Sequence, residues 1–119
     1  KISNNEPIDV YNNGKMKRDF TYIDDIVDGT MSAMKKSYDC EVFNLGNNKS
    51  ENLMDLIRLI EQELDKKAII EYKDIQPGDV LETYADIDYT IEKLNYLPKI
   101  NIDRGVNSFI GWYKEYHNV

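Results

Sequence analysis

Arg18 is the first residue in this chain whose type and setting suggest chemistry. It closes the run Gly14-Lys15-Met16-Lys17-Arg18, the densest positive cluster in an otherwise acidic sequence. An arginine fork matches the paired oxygens of a phosphate or a carboxylate. The same charge could instead form an ordinary surface pair with Asp19, Asp24 or Asp25. The loop Gln76-Pro77-Gly78-Asp79 is the second candidate. Pro and Gly fix a tight path, and Asp79 could accept hydrogen bonds from sugar hydroxyls or cap its own backbone. Tyr11 ends a predicted strand before a turn, where its ring could lie against a planar base or serve as a half-buried amphipathic side chain. With nine tyrosines in the chain, one tyrosine alone carries little weight. Asp24 and Asp25 are neighbours at a predicted helix start and point in different directions, so they form no acid/base dyad. Cys40 has no histidine near it in sequence and reads as a small buried or half-buried residue rather than a nucleophile. His117 reads as solvated.

Several chemistries lack their residues. No GxGxxG or GxxGxxG follows a strand, so the dinucleotide fingerprint is missing. There is no GxxxxGK[ST] phosphate loop and no Gly-x-Ser-x-Gly elbow. Tyr89 and Lys93 have the Tyr-x-x-x-Lys spacing, but no suitable Ser or Thr accompanies them. One cysteine cannot build an intramolecular disulfide or a Cys-rich zinc site, and one histidine gives poor support to a classical zinc cluster or a His-based triad. The sequence therefore offers no catalytic group and no metal site of its own.

The elements that must position these residues follow from pattern. Pro7–Tyr11 alternates like a short strand, and Asn12-Asn13-Gly14 reads as a turn. Residues 18–23 are rich in strand formers. Asp24 or Asp25 can cap a helix carrying Ile26, Val27, Thr30, Met31 and Met34 on one face. Glu41–Leu45 reads as a strand ending at Gly46-Asn47-Asn48. Asn52 can cap a second helix with Leu53, Leu56, Ile57, Ile60 and Leu64 inward. Ala68–Tyr72 is the next strand. Asp86 can cap a short helix that stops before Pro98, and Asp103 a last helix bearing Val106, Phe109, Ile110 and Tyr113. The expectation is a mixed α/β (α+β) subdomain of about four helices and four short strands. These strands do not assemble into a complete doubly wound sheet.

Bulk properties bound the partners. The 119 residues make one domain's worth of chain, with 41% hydrophobic and 31% charged residues. A formal charge of −7 argues against nucleic acid and anionic lipid as partners. No apolar run is long enough for a membrane span, the first residues lack a signal peptide's apolar core, and a single Cys suits a reducing cytoplasm. The chain does not begin with Met, which suggests processing or a start inside something longer.

Taken in order, the motifs form a familiar set. Ile8–Gly14 followed by Lys15–Val27 resembles the C-terminal half of the nucleotide-sugar epimerases and dehydratases in the extended short-chain dehydrogenase/reductase superfamily. Phe43-Asn44-Leu45-Gly46-Asn47 is similar to that family's next strand. Gln76–Val80 with Thr83–Asp86, and the terminal Gly105–Tyr113, resemble the UDP-glucuronate 4-epimerase branch. The resemblance runs along nearly all of the chain.

This resemblance implies an enzyme in two parts. An N-terminal Rossmann domain, absent from this chain, would bind NAD and carry the catalytic Ser/Thr, Tyr and Lys. Residues 1–119 would be the nucleotide-sugar-binding part, inactive alone and without a cofactor of its own. By position, Arg18 would contact the diphosphate, Val10 (through its backbone) and Tyr11 would lie against the base, and Asp79 would bind the ribose hydroxyls. Gln76 stands where UDP-galactose epimerases carry a second phosphate-binding arginine, as it does in the glucuronate branch. The implied substrate is a UDP-sugar, UDP-glucuronate or UDP-galacturonate, used in polysaccharide precursor synthesis. The complete enzyme would be a homodimer. The isolated chain, deprived of its covering half, would self-associate or rearrange at Ile26, Val27 and Met31 or at Leu56 and Ile60. Other readings are a related 4,6-dehydratase or decarboxylase, and a free-standing non-catalytic nucleotide- or protein-binding domain.

Overall fold

Strand β1 (Pro7–Tyr11) lies parallel to β4 (Ile69–Lys73), with Val10 opposite Tyr72 and Tyr11 opposite Lys73. The structure is a computed structural model and describes residues 1–118. A second ladder pairs β2 (Lys17–Arg18) with β3 (Glu51–Asn52) in antiparallel fashion. Four α-helices complete the fold: α1 (Ile23–Met34), α2 (Leu53–Leu64), α3 (Asp88–Leu94) and α4 (Ile102–His117). This is the mixed α/β architecture that the sequence pattern implies.

Local chemistry fixes the turns that matter to the site. β1 ends in a single 3-10 turn, Asn12–Gly14, in which all three residues have positive φ. Two asparagines and a glycine tolerate that conformation. Asn12 Nδ2 locks the turn by donating to Lys15 O at 2.9 Å. Gly14 also admits the α2 side chains, since a Cβ there would stand 2.5 Å from Met54 Sδ.

The core is divided. One cluster joins Ile87, Leu94 and Tyr96 with Phe43, Leu45 and Ala33. The other joins Ile102, Val106 and Ile110 of α4 with Phe20, Leu56, Leu59 and Ile60. The periodicity of α2 and α4 predicts that second cluster, and Leu56 and Ile60 are accordingly half-buried rather than bare. Among the described residues no helix is long and apolar enough to cross a membrane.

Four expectations need correction. Glu41–Leu45 forms no strand. It has no neighbouring strand among the described residues, and the hydrogen bonds it makes with them all involve side chains. Thr90 Oγ1 donates to Asn44 O at 2.8 Å, and Asn44 Nδ2 donates to Asp86 O at 3.0 Å. β2 stops at Arg18 and does not run to Ile23, because its partner β3 is only two residues long before α2 begins. Asp25 is not a cap. It is buried, and its two carboxylate oxygens accept from Lys99 N and Ile100 N, each at 3.0 Å. The cap of α4 is Asn101, which accepts from Arg104 N at 3.0 Å, and not Asp103.

Candidate functional site

The candidate residues converge through the backbone. Val10 and Tyr11 sit at the carboxyl end of β1, beside the end of β4. The chain leaving β4 at Lys73 enters the exposed loop that carries Gln76 and Asp79. A turn closed by Asp79 N donating to Gln76 O at 3.1 Å reverses it, with Gly78 at φ +89°. The returning arm then lies against β2. Lys17 N donates to Leu81 O at 2.9 Å, Thr83 N donates to Lys17 O at 3.3 Å, and Lys17 bridges Glu82. β2 thus has β3 on one side and the loop's return on the other.

Arg18 stands at that junction. Its Nη1 donates to Lys17 O at 2.7 Å and reaches Leu81 O at 3.5 Å. It forms none of the ion pairs found among the described residues. The three acids that could have paired with it stand elsewhere: Asp19 and Asp25 are engaged by backbone N–H groups, and Asp24 is exposed in the first turn of α1. Of the other cations nearby, Lys15 also forms no ion pair among the described residues, whereas Lys17 and Lys73 are less free. Lys17 lies 3.8 Å from Glu82, and Lys73 lies 2.8 Å from Glu71 and 3.5 Å from Asp9. The hydrogen bond from Lys73 to Glu71 holds that ammonium above its ordinary pKa. Arg18 is therefore a half-buried guanidinium with donors to spare.

The arrangement joins some candidates and leaves others apart. Gln76 and Asp79 share one turn, and Arg18 touches the return arm of the same loop. Val10 is fully buried, so its side chain is closed to a ligand. Tyr11 is half-buried. No hydrogen bond or ion pair links the side chains of Arg18, Gln76 and Asp79 among the described residues. A groove of about 460 Å³ runs alongside, lined by Lys15, Lys17, Asn52, Met54, Leu81 and Glu82. A more apolar groove of about 410 Å³, between the 20–23 segment and α4, contains none of the candidates. Cys40 is exposed, contrary to its expected burial. The described residues contain no group of three or more His, Cys, Asp or Glu placed to hold a metal ion.

Two supporting residues escape sequence reasoning. Asp19 accepts from Asn47 N, Asn48 N and Ala85 N at 2.9–3.0 Å, partners 28, 29 and 66 residues away. Nothing local in the sequence signals such a role. Tyr96 is buried, and its hydroxyl donates to Gly46 O at 2.9 Å. Burial, aided by the charges of Asp25 and Asp19, pushes its phenol up to about 12.

Comparison with known proteins identifies the setting. Residues 1–46 match the NAD dependent epimerase/dehydratase family. A protein of Methanocaldococcus jannaschii, described only as uncharacterized, is 51% identical over 91% of this chain and 33% of its own length. The UDP-glucuronate 4-epimerase of Thermodesulfobacterium geofontis is 37% identical over 96% of this chain and 35% of its own. Over more than nine-tenths of its length the chain is similar to a part of the NAD-dependent nucleotide-sugar epimerases. The fold agrees. UDP-glucuronic acid 4-epimerase from Bacillus cereus, solved with UDP-glucuronic acid and NAD, superposes with a TM-score of 0.84 at 29% identity, over 95% of this chain and 37% of that one. This epimerase-like chain thus spans about a third of the length of the relatives it matches. β1 runs into the Asn12–Gly14 turn and then into β2, so it lacks the Gly-rich turn opening a helix on which a pyrophosphate would rest.

Proposed function

We propose that these residues bind and orient the UDP end of a sugar nucleotide for an NAD-dependent epimerase of the UDP-glucuronate 4-epimerase kind. The observation that carries the reading is Arg18, a guanidinium free of carboxylates and held by the loop that bears Gln76 and Asp79. Its fork would accept the diphosphate. Asp79 would accept the ribose hydroxyls, and Tyr11 with the Val10 backbone would flank the base. The preformed turn between Gln76 and Asp79 lowers the ordering cost of that contact. Gln76 offers the diphosphate an amide rather than a second positive charge, so Arg18 would carry most of the local neutralisation.

NAD and the catalytic Ser/Thr, Tyr and Lys would belong to a Rossmann part lying N-terminal to residue 1 in a longer protein. The sugar oxidised there would be UDP-glucuronate, returned as UDP-galacturonate. The present residues would supply binding and orientation, which raise the rate by fixing the reacting geometry. The coverage of the relatives, about a third of their length, supports this division.

Calorimetric titration of the chain with UDP tests the reading. Binding should be measurable, and Arg18→Ala should weaken it by about 10- to 100-fold, the worth of a hydrogen-bonded charge. The longer native polypeptide should convert UDP-glucuronate to UDP-galacturonate with NAD, and residues 1–119 alone should not. Absence of UDP binding, or turnover by the isolated chain, would overturn it.

A further inference from the structure

Asp19 is the hub through which the candidate loop is held. Its Oδ1 accepts from Asn47 N at 2.9 Å and from Thr21 Oγ1 at 3.3 Å. Its Oδ2 accepts from Asn48 N at 3.0 Å and from Ala85 N at 2.9 Å. Three separate segments therefore meet on one carboxylate: the end of β2, the Gly46–Asn48 turn and the return arm of the 74–85 loop. Hydrogen bonds from backbone N–H groups to an ionised acceptor are short and strong. No cation is paired with this carboxylate among the described residues, so backbone dipoles carry its charge.

The packing around the hub is close. A Cβ on Gly46 would stand 2.4 Å from Ala85 Cβ and 2.9 Å from Asp19 Oδ2. From behind, the Tyr96 hydroxyl holds Gly46 O at 2.9 Å. The loop itself has little other restraint. Residues 74–80 are exposed, and their one backbone tie beyond the flanking elements is the turn between Gln76 and Asp79. The loop is fastened where it returns, by the Lys17 and Ala85 backbone bonds and by Arg18 Nη1 reaching Leu81 O.

Asp19 also adjoins Arg18 in sequence. The peptide that carries the guanidinium is therefore the peptide that the hub immobilises. We propose that Asp19 is a positioning residue, whose carboxylate sets the placement of Asp79 relative to Arg18 by tying β2 to the loop's return arm. It touches no ligand itself. The inference rests on the nucleotide-binding reading of Arg18 and Asp79, but its structural half can be tested without a ligand.

Asp19→Asn keeps the side-chain shape but replaces one acceptor oxygen with an NH2 that faces backbone N–H groups. Two measurements on the full 119-residue chain apply. In amide exchange, Asp19→Asn should lower protection at Lys17, Asn48, Thr83 and Ala85 at least 10-fold while α2 and α4 keep theirs. In UDP titrations, Asp19→Asn should weaken binding about 10-fold. More tellingly, Asp79→Ala should cost about 10-fold in the parent chain and less than 2-fold beside Asp19→Asn. A merely structural Asp19 would lower the melting temperature and leave the cost of Asp79→Ala unchanged. Should Asp19→Asn fail to fold, Gly46→Ala spreads the same clamp with the charge intact, and the same cycle applies. Unchanged loop exchange, or an unchanged cost of Asp79→Ala, overturns the proposal. A parent chain that binds no UDP overturns the nucleotide reading instead, and the exchange experiment still decides whether Asp19 holds the loop.

Discussion

Arg18 and Tyr96 show how single groups in this chain are tuned by their surroundings. Arg18 spends only one nitrogen, on two carbonyl oxygens, which leaves the remaining donors of its fork unspent. Tyr96 has the opposite character, with its hydroxyl fully committed to Gly46 O inside a buried cluster. Its phenol is pushed up to about 12, first by burial and then by the charges of Asp25 and Asp19. The consequence for stability has a definite sign. A proton-bearing group whose folded pKa is raised stabilises the fold fully below the unfolded value, near 10, and that stability is lost as pH rises through the folded value. Denaturant midpoints should therefore fall between about pH 10 and pH 12, by an amount on the order of 2 kcal/mol from this group. Tyr96→Phe removes the titration and the hydrogen bond together. At neutral pH it should cost about 1 kcal/mol. The gap between the two proteins should close and then reverse as pH climbs from 10 to 12. A gap that stays constant across that interval would show that Tyr96 is not the group responsible.

At the scale of elements, close approach decides which glycines matter. Gly29 sits in the middle of α1, and a Cβ there would stand 2.5 Å from Leu45 Cδ2 and 2.9 Å from Tyr96 Cδ2. Gly29→Ala gains helix propensity of about 1 kcal/mol but overpacks this contact, and the steric term wins by about 1–2 kcal/mol net. Gly111, in α4, faces open space. Gly111→Ala should stabilise the chain by up to about 1 kcal/mol. Thermal melts of the two variants should move in opposite directions, and a shared sign would contradict the packing described. The helices were legible in the sequence because their apolar spacing is local: α2 and α4 bury the faces that Leu56, Ile60, Val106 and Ile110 mark out. The short ladders were less legible. Glu41–Leu45 has strand composition, but a ladder needs a neighbour, and here Thr90 and the Asn44 side chain take its place. The candidate loop was visible from Gln76-Pro77-Gly78-Asp79, whereas its anchor, Asp19, was not, because its partners lie in remote segments.

The whole molecule is a slab. Its principal extents are 48 × 37 × 19 Å, and its radius of gyration is 16.7 Å. A compact domain of this length would have a radius of about 13.5 Å. Two small clusters stand in for one central core, and an apolar stripe on α1 stays open: Ile23, Val27, Met31 and Met34 are 60%, 49%, 46% and 72% exposed. The other face expected to be bare, Leu56 and Ile60, is covered by α4. Covering the α1 stripe yields roughly 1 kcal/mol for each half-exposed side chain. Two copies therefore gain several kcal/mol, against an association cost of about 4 kcal/mol or more. The balance predicts weak self-association of the isolated chain, in the millimolar range. Sedimentation velocity should show a mass that rises with concentration. The double variant Val27→Lys/Met31→Lys distinguishes apolar contact from charge. It brings the formal charge of −7 closer to zero and so reduces repulsion between copies. If the stripe drives association, the variant should nevertheless sediment as a monomer at every concentration. Association that persists or strengthens in the variant would place the contact elsewhere, with the exposed Phe109, Trp112 and Tyr116 of α4 as the next face to change.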